Sequence, residues 1–361
     1  MSIKKSNILL IVGELSTPGG VSVFWNSLLS AFKKTNYFKF NIIEIGGHGK
    51  NIFGPVIDQW EVNKRIKSNK NLELGIVNPS LLNRSFFRDG LFAKQMNKNN
   101  LPFVVFFHGW DLKFEAIVTK KYINFFLNSF GKAEKIFVLS DDFKTKIIEW
   151  GYEGQVIVQT TTVDTTLINN FSLEAKNKIE QTDTSITKIL FLSRIIKEKG
   201  IFELIDAFKN LNKKVKNLEL IIAGDGEEFN QVKKIIKNNK NIRLTGHIEG
   251  EKKIAIFKES DIYILPSYTE GLPISVLEAM LFGLPVITTK VGGLKKFFKD
   301  KKMGYFIDTK NTIDIENKIE LLLSNKNKLK EISEFNYQYA QKNLTNTVVA
   351  EALHHHLKEL I

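Results

Sequence analysis

The stretch Ile262-Tyr-Ile-Leu265, Pro266-Ser-Tyr-Thr-Glu270-Gly-Leu-Pro-Ile-Ser-Val-Leu-Glu278-Ala-Met-Leu-Phe-Gly283-Leu-Pro285, Val286-Ile-Thr-Thr289 reads as strand, loop, helix and strand. Its two outer runs are short and unbroken in apolar character, the pattern of strands covered on both faces. Gly283 followed by Pro285 stops the helix between them. A start near Ile274 places Glu278 about one turn inside. Val276, Leu277, Ala279, Met280 and Leu281 surround that glutamate, so its carboxylate needs hydrogen-bond donors, and sugar or ribose hydroxyls would serve. Glu270 stands earlier, in the loop that ends the strand. Free N–H groups near Ile274 and Ser275 face that loop and suit a phosphate. Both glutamates would equally complement the helix macrodipole.

The same alternation runs outward along the chain. The apolar runs are Ile8–Val12, Phe40–Ile45, Leu72–Val77, Phe103–Phe107, Ile136–Leu139 and Val156–Val158. A second series follows at Ile189–Leu192, Leu218–Ala223, Ile242–Leu244, Ile262–Leu265, Val286–Thr289 and Tyr305–Ile307. Amphipathic spacers separate the runs, which predicts two doubly wound α/β domains facing a central cleft. The polar stretch 169–187 is the expected linker, between a first domain over 1–168 and a second over 188–345. Residues 346–361 read as a terminal amphipathic helix containing His354-His355-His356. Parallel sheets take ligands at the carboxyl ends of their strands. The residues just past the runs are therefore the candidates: Gly13 to Gly20, His108-Gly109, Ser140, Ser193-Arg194, Gly224-Asp225-Gly226, Gly246-His247 and Pro266–Gly271.

Composition narrows the classes. With 361 residues, 43% hydrophobic and 25% charged, the chain has the make-up of a folded protein of about two domains. It has no cysteine, which excludes a disulfide framework, a thiolate nucleophile and Cys-ligated metal. No apolar run reaches the roughly 18 residues of a membrane span, and the short run after Lys4-Lys5 reads as a first strand rather than a leader. Cytoplasm is the expected compartment. The net charge of +13 invites an anionic partner, yet it comes from lysine scattered over both halves, with only five arginines. No nucleic-acid motif accompanies it, so nucleic acid is not an expected partner. GxGxxG, GxxxxGK[ST], Asp-x-Asp and HExxH are all missing, so no metal ligands are assigned.

Two further groups carry chemistry. Thr17-Pro18-Gly19-Gly20-Val21 joins the first strand to a helix, where paired glycines let a ligand approach the backbone. A turn needing positive φ would use the same pair. In Ser193-Arg194-Ile-Ile-Lys-Glu-Lys199-Gly200, a guanidinium and an ammonium at one strand end suit a diphosphate.

Glu270 and Glu278 have the Glu-x7-Glu spacing of retaining glycosyltransferases with two Rossmann-like domains (the GT-B type), and EGLPISVLEA resembles family 4 of that group. Gly19-Gly20, His108-Gly109, Ser193-Arg-x4-Lys199-Gly200, Gly224-Asp-Gly226, Gly246-His-Ile248 and Gly292-Gly293 fall in the family's order. The resemblance implies that Arg194 and Lys199 neutralise the leaving nucleoside diphosphate, with Glu278 on the ribose and Glu270 on the donor sugar. It gives Gly271 and Leu272 backbone contacts, Ile274 and Ser275 a place at the donor, and main-chain reading of the base to Ile248. It puts His108 by the sugar near the reaction centre, and it counts Gly19 and Gly20, in the first loop, among the donor-binding residues. It implies a UDP- or GDP-linked donor, retention without a metal, and a terminal helix that returns to the first domain. Two positions depart from the pattern: Thr160-Thr161-Thr162-Val163-Asp164 replaces Pro-Asn-Gly-Val-Asp, and Lys296 stands where a glutamate is usual.

The expected activity is transfer of a sugar from a nucleotide-sugar donor to an acceptor hydroxyl, on a glycan or lipid-linked acceptor of a bacterial surface polysaccharide. A same-fold epimerase or glycogen-type synthase, and a non-catalytic sugar-nucleotide-binding subunit, are the alternatives. Residues 84–98 and 110–132 mix aromatic and basic side chains, the composition of an interfacial helix, so contact with an anionic inner membrane face is a further expectation. The same aromatics would also make a core with lysine heads in water.

Overall fold

A computed structural model describes residues 5–17, 19–35, 37–47, 53–168, 171–174 and 186–361. All the apolar runs named above are strands in it, arranged in two six-stranded parallel sheets. The chain divides into one unit of Met1–Thr162 with Asn346–Ile361 and another of Val163–Thr345.

The first unit holds β1 (Ser6–Gly13), β2 (Phe38–Ile45), β3 (Leu74–Val77), β5 (Phe103–Phe106), β7 (Lys135–Val138) and β8 (Gln155–Val158) in the order β2-β1-β3-β5-β7-β8. A small separate pair, β4 (Ser80–Leu81) with β6 (Gly109–Trp110), lies beside them. Ile8 to Val12 of β1 are buried because β1 is flanked by β2 and β3 and covered by helices. Each such side chain contributes about 1.5–3 kcal/mol. The helix Gly20–Thr35 lays Phe24, Trp25, Leu28 and Phe32 on the core. The helix Asn346–Lys358 packs against it through buried Val349, Ala350, Leu353 and Leu357. Lys135, buried in β7, pairs with Glu359 and donates to the His356 carbonyl at 3.1 Å, tying down that helix's end.

The second unit holds β9 (Thr187–Leu192), β10 (Leu218–Ala223), β11 (Ile242–Gly246), β12 (Ile262–Leu265), β13 (Val286–Thr289) and β14 (Gly304–Ile307), ordered β11-β10-β9-β12-β13-β14. Val163 bridges to Thr345, and its N–H donates to Leu344 O at 2.9 Å. That ladder contact places the division after Thr162, where the sequence suggested 168. The described part of 169–187 is not free linker either. Phe171 packs edge-on against Phe282 at 5.0 Å, Leu173 is buried, and Thr187 opens β9, while 169–170 and 175–185 lie outside the described residues.

Strand order reverses between β1 and β3 in one sheet and between β9 and β12 in the other. Ligands of such sheets sit at the carboxyl ends of those strands. The aromatics of 84–98 and 110–132 are mainly core: Phe86, Phe92, Phe114 and Phe126 are buried, and the Phe86 ring meets Phe87, Phe114, Phe125 and Phe130 at 5.3–5.5 Å. Ring burial thus takes up the side chains on which membrane contact through these segments was expected. No helix among the described residues is long and apolar enough to cross a membrane.

Candidate functional site

At the switch point of the second unit, β9 ends in Ser193-Arg194 and β12 in the loop Pro266–Gly271. Backbone closure fixes both. Ile195 N–H donates to Asp225 O at 2.8 Å and Glu228 N–H to Ile195 O at 3.0 Å. Gly224 makes this fit possible: at φ +140° a Cβ there would lie 1.9 Å from the Ser193 carbonyl oxygen. Arg194, held between two pinned neighbours, is exposed and has no side-chain partner among the described residues.

The loop after β12 is clamped from two sides. Thr289 Oγ1 donates to Ser267 O at 2.5 Å, and Tyr268 N–H donates to Glu198 O at 2.8 Å. Gly292 lies against Glu270, where a Cβ would come within 1.7 Å of the Glu270 carbonyl oxygen. The carboxylate of Glu270 is held as firmly. Its Oε1 accepts Lys199 Nζ at 2.5 Å and Ser267 Oγ at 2.7 Å, and Oε2 has no partner among the described residues. Lys199 and Glu270, expected to serve different parts of a ligand, therefore neutralise each other in this structure.

Behind the loop, the helix Ile274–Leu281 starts after Pro273 without a side-chain cap, so its first N–H groups are available beside Glu270. The Tyr263 hydroxyl bridges the Leu192 carbonyl at 3.0 Å and Ser275 Oγ at 2.6 Å, joining the end of β9 to this helix start. Glu278 is buried, as its neighbours predict. Its donor is Lys253, on the helix Gly250–Glu259, at 2.5 Å from Oε1. Burial pushes the Glu278 carboxyl above its ordinary value, Lys253 draws it back down, and Asp164 adds to the rise. Oε2 again has no partner among the described residues. Ile248, half-buried, sits in the turn between β11 and that same helix, and Gly271 and Leu272 continue the clamped loop.

The first unit's switch point is built differently. Asn78, one residue past β3, donates through Nδ2 to Ile11 O of β1 at 2.8 Å. Its Oδ1 accepts Trp25 Nε1–H at 2.7 Å and lies 2.9 Å from His108 Nε2. A carbonyl oxygen can only accept, so His108 carries its proton on Nε2 and keeps the Nδ1 lone pair. The imidazole stacks on Phe106 at 4.2 Å and meets the Phe24 ring at 4.9 Å. Burial among these rings lowers its pKa to about 3, which leaves it neutral at pH 7. Gly19 and Gly20 lie at the start of the helix Gly20–Thr35 without positive φ, so no left-handed turn demands them. A Cβ on Gly20 would meet nothing within 4 Å and one on Gly19 only Ser22 Oγ at 3.7 Å, which leaves open backbone at the mouth of β1. Pro18 lies outside the described residues.

Other strand-end candidates have structural jobs. Ser140 caps the helix Asp141–Glu149 by accepting Phe143 N–H at 3.3 Å. Of the departures, Thr161 and Thr162 are buried and Lys296 is exposed on the short helix Leu294–Phe297. Ser267 falls in the loop Pro266–Gly271 that the sequence singled out, whereas Lys253, Tyr263 and Asn78 escaped the sequence reading. Asn78 alone had a signal, since it directly follows an apolar run.

Residues 173–339 match the model of the family described as glycosyl transferases group 1. An uncharacterised glycosyltransferase of Methanocaldococcus jannaschii is 32% identical over 55% of this chain and 49% of its own length. A second from that organism is 25% identical over 85% of this chain and 82% of its own. The capsular polysaccharide biosynthesis glycosyltransferase CapM of Staphylococcus aureus is 26% identical over 52% and 49%. The alignments thus span about half the length of the first and third of these relatives. Among solved structures, sucrose-phosphate synthase from Thermosynechococcus elongatus superposes with a TM-score of 0.78 at 15% identity, covering 99% of both chains. HepE of Anabaena, in complex with UDP-glucose, superposes with a TM-score of 0.71 at 16% identity, covering 98% of this chain and 99% of its own. Both likenesses establish the fold: two Rossmann-like domains of the GT-B type.

Proposed function

We propose that this chain, whose residues 173–339 match the model of the glycosyl transferases group 1 family, moves a sugar from a nucleotide-sugar donor to an acceptor hydroxyl with retention of configuration. The observation that carries the reading is the cluster at the β9 and β12 ends: a guanidinium unpartnered among the described residues, a lysine–glutamate pair and an uncapped helix start around one loop. Arg194 takes the diphosphate. Lys199 joins it when a phosphate replaces Glu270 as its partner, and the N–H groups of Ile274 and Ser275 complete the anion's surroundings. Glu270 then turns to the sugar hydroxyls, with Gly271 and Leu272 giving main-chain contacts. Glu278, held by Lys253, takes the ribose through its second oxygen, and the main chain at Ile248 meets the base.

The chemistry asked of these residues is charge stabilisation as the diphosphate leaves, which needs positioned cations rather than a protein nucleophile. In the first unit, which takes the acceptor, Gly19 and Gly20 offer open backbone to the donor and neutral His108 serves its sugar. His108 Nδ1 accepts a hydrogen bond and does not supply a cation. Two cations at the leaving group do the work of a metal ion, so transfer proceeds without one. The UDP-glucose complex of HepE supports a UDP-linked donor, and the part of CapM in capsular polysaccharide biosynthesis supports a glycan acceptor.

The test is calorimetry with UDP and GDP followed by donor turnover in the presence of EDTA. Binding of one nucleotide and chelator-resistant release of its sugar are expected. Nucleotide binding without turnover in any acceptor mixture would favour the non-catalytic subunit. Loss with EDTA and recovery with Mn²⁺ would overturn the metal-free reading.

A further inference from the structure

We infer that the outer face of the helix Gly54–Ser68 docks on an anionic lipid bilayer. At 100° per residue, Val56, Ile57, Trp60, Lys64 and Lys67 share one face. Val56 is 65% and Trp60 61% exposed, and Ile57 is also exposed. The opposite face holds buried Asp58, Val62 and Ile66, with Asp58 Oδ2 accepting Gly46 N–H at 3.2 Å. Gln59 donates to Arg88 O at 2.9 Å and accepts from Gln95 at 2.8 Å, which pins the helix to its neighbour Asn83–Lys98. The apolar side chains are therefore held outward by the fold.

The chemistry around them selects the occupant. Lys64 Nζ stands over the Trp60 ring at 4.7 Å, so a cation and an indole leave the surface together. Residues 54–98 hold eight basic and four acidic side chains, and Asp58 and Asp89 among the acids are buried. Glu61, half-buried, flanks the face. An apolar wedge with tryptophan, rimmed by lysine, fits the boundary between headgroups and acyl chains of an anionic leaflet. A stable protein interface uses roughly 20–30 residues a side, far more than this one helix face offers. This inference rests on the surface alone, so its failure would leave the transferase reading standing.

The molecule carries its own reporter. Of its four tryptophans, Trp25 and Trp150 are buried and Trp110 stacks half-buried on Phe143 at 4.4 Å, which leaves Trp60 as the exposed one. The full chain is mixed with vesicles of phosphatidylcholine alone or with phosphatidylglycerol. Binding to the anionic vesicles only, a blue shift and quenching by brominated lipid are expected, all weakening with salt. Val56→Ser/Trp60→Ser should abolish sedimentation with vesicles. Lys64→Ala/Lys67→Ala, which leaves the wedge in place, should cut partitioning roughly 25-fold, about fivefold for each lysine. Unchanged Trp60 emission, or equal binding by wild type and the serine variant, would overturn the proposal. So would concentration-dependent self-association that buries Trp60 without lipid.

Discussion

The two switch points occupy corresponding places in two parallel sheets and are stabilised by opposite means. In the second unit, ion pairs do it: Lys199 with Glu270 and Lys253 with Glu278, each with one carboxylate oxygen to spare. In the first, a neutral network does it, with Asn78 receiving Trp25 and His108 while stacked rings exclude charge. Such a pair can serve an anionic ligand, because the lysine exchanges one anion for another and the carboxylate's second oxygen can meet a hydroxyl. A neutral, ring-lined mouth supplies no side-chain cation for a diphosphate but can orient a hydroxyl. On the proposed reading, that difference gives the anion to the second unit and the uncharged acceptor to the first.

The largest expected effect comes from breaking a charge pair where it is most buried. Lys253→Met should cost about 3–5 kcal/mol by leaving Glu278 uncompensated. The sign with pH follows from the carboxyl's raised pKa. Between its ordinary and its elevated value the folded state binds more protons than the unfolded one, so stability falls as pH rises through that window. Urea unfolding should therefore show the variant weakest at neutral pH and closest to wild type in mild acid. A loss independent of pH would mean that Lys253 matters by packing and not by charge.

Arg194→Ala should lower turnover about 10²–10³-fold and leave unfolding nearly unchanged, since the side chain is exposed and unpartnered among the described residues. If turnover survives, the anion lies elsewhere and the comparison fails. The glutamates sharpen it further. Glu278→Gln should weaken both nucleotide and donor by roughly ten- to 150-fold. Glu270→Gln releases Lys199 from its partner, so nucleoside diphosphate binding should hold or tighten while turnover drops. Calorimetry with nucleotide alone, beside a transfer assay, separates them, and the reverse result would exchange their roles.

The smallest effect tests the neutral side. Asn78→Asp places a carboxylate on His108 Nε2 and should raise that imidazole's titration midpoint by roughly 1–3 pH units. Wild-type His108 has a lowered pKa, so its contribution to stability is complete above pH ~6.5 and lost as pH falls towards 3. The aspartate variant should relieve that acid loss. Nitrogen-15 spectra of the histidines read the tautomer directly, and a proton on Nδ1 in the wild type would refute the network as described.

Apolar runs such as Ile8–Val12 and Ile262–Leu265 were readable because a strand buried on both faces must be continuously apolar, wherever it lies in the sheet. The helix Ile274–Leu281 was readable from its stop at Gly283 and Pro285, and the burial of Glu278 from its neighbours. The two-residue strands β4 and β6 were not, because two residues carry no period. Lys253 was equally invisible among 47 lysines, for its pairing with Glu278 depends on how two helices pack and on no local pattern.

Sequence by itself therefore determined the elements, the two-sheet architecture and the chemical identity of the groups at the strand ends, all consequences of local hydrophobicity and turn chemistry. Only the tertiary structure decided strand order, the place of the switch points and which charges are spent on each other. It also decided which aromatics serve as core and which, like Trp60, meet the solvent. Those outcomes depend on contacts between residues tens of positions apart, where free energy is set by mutual burial and geometry that no single segment encodes.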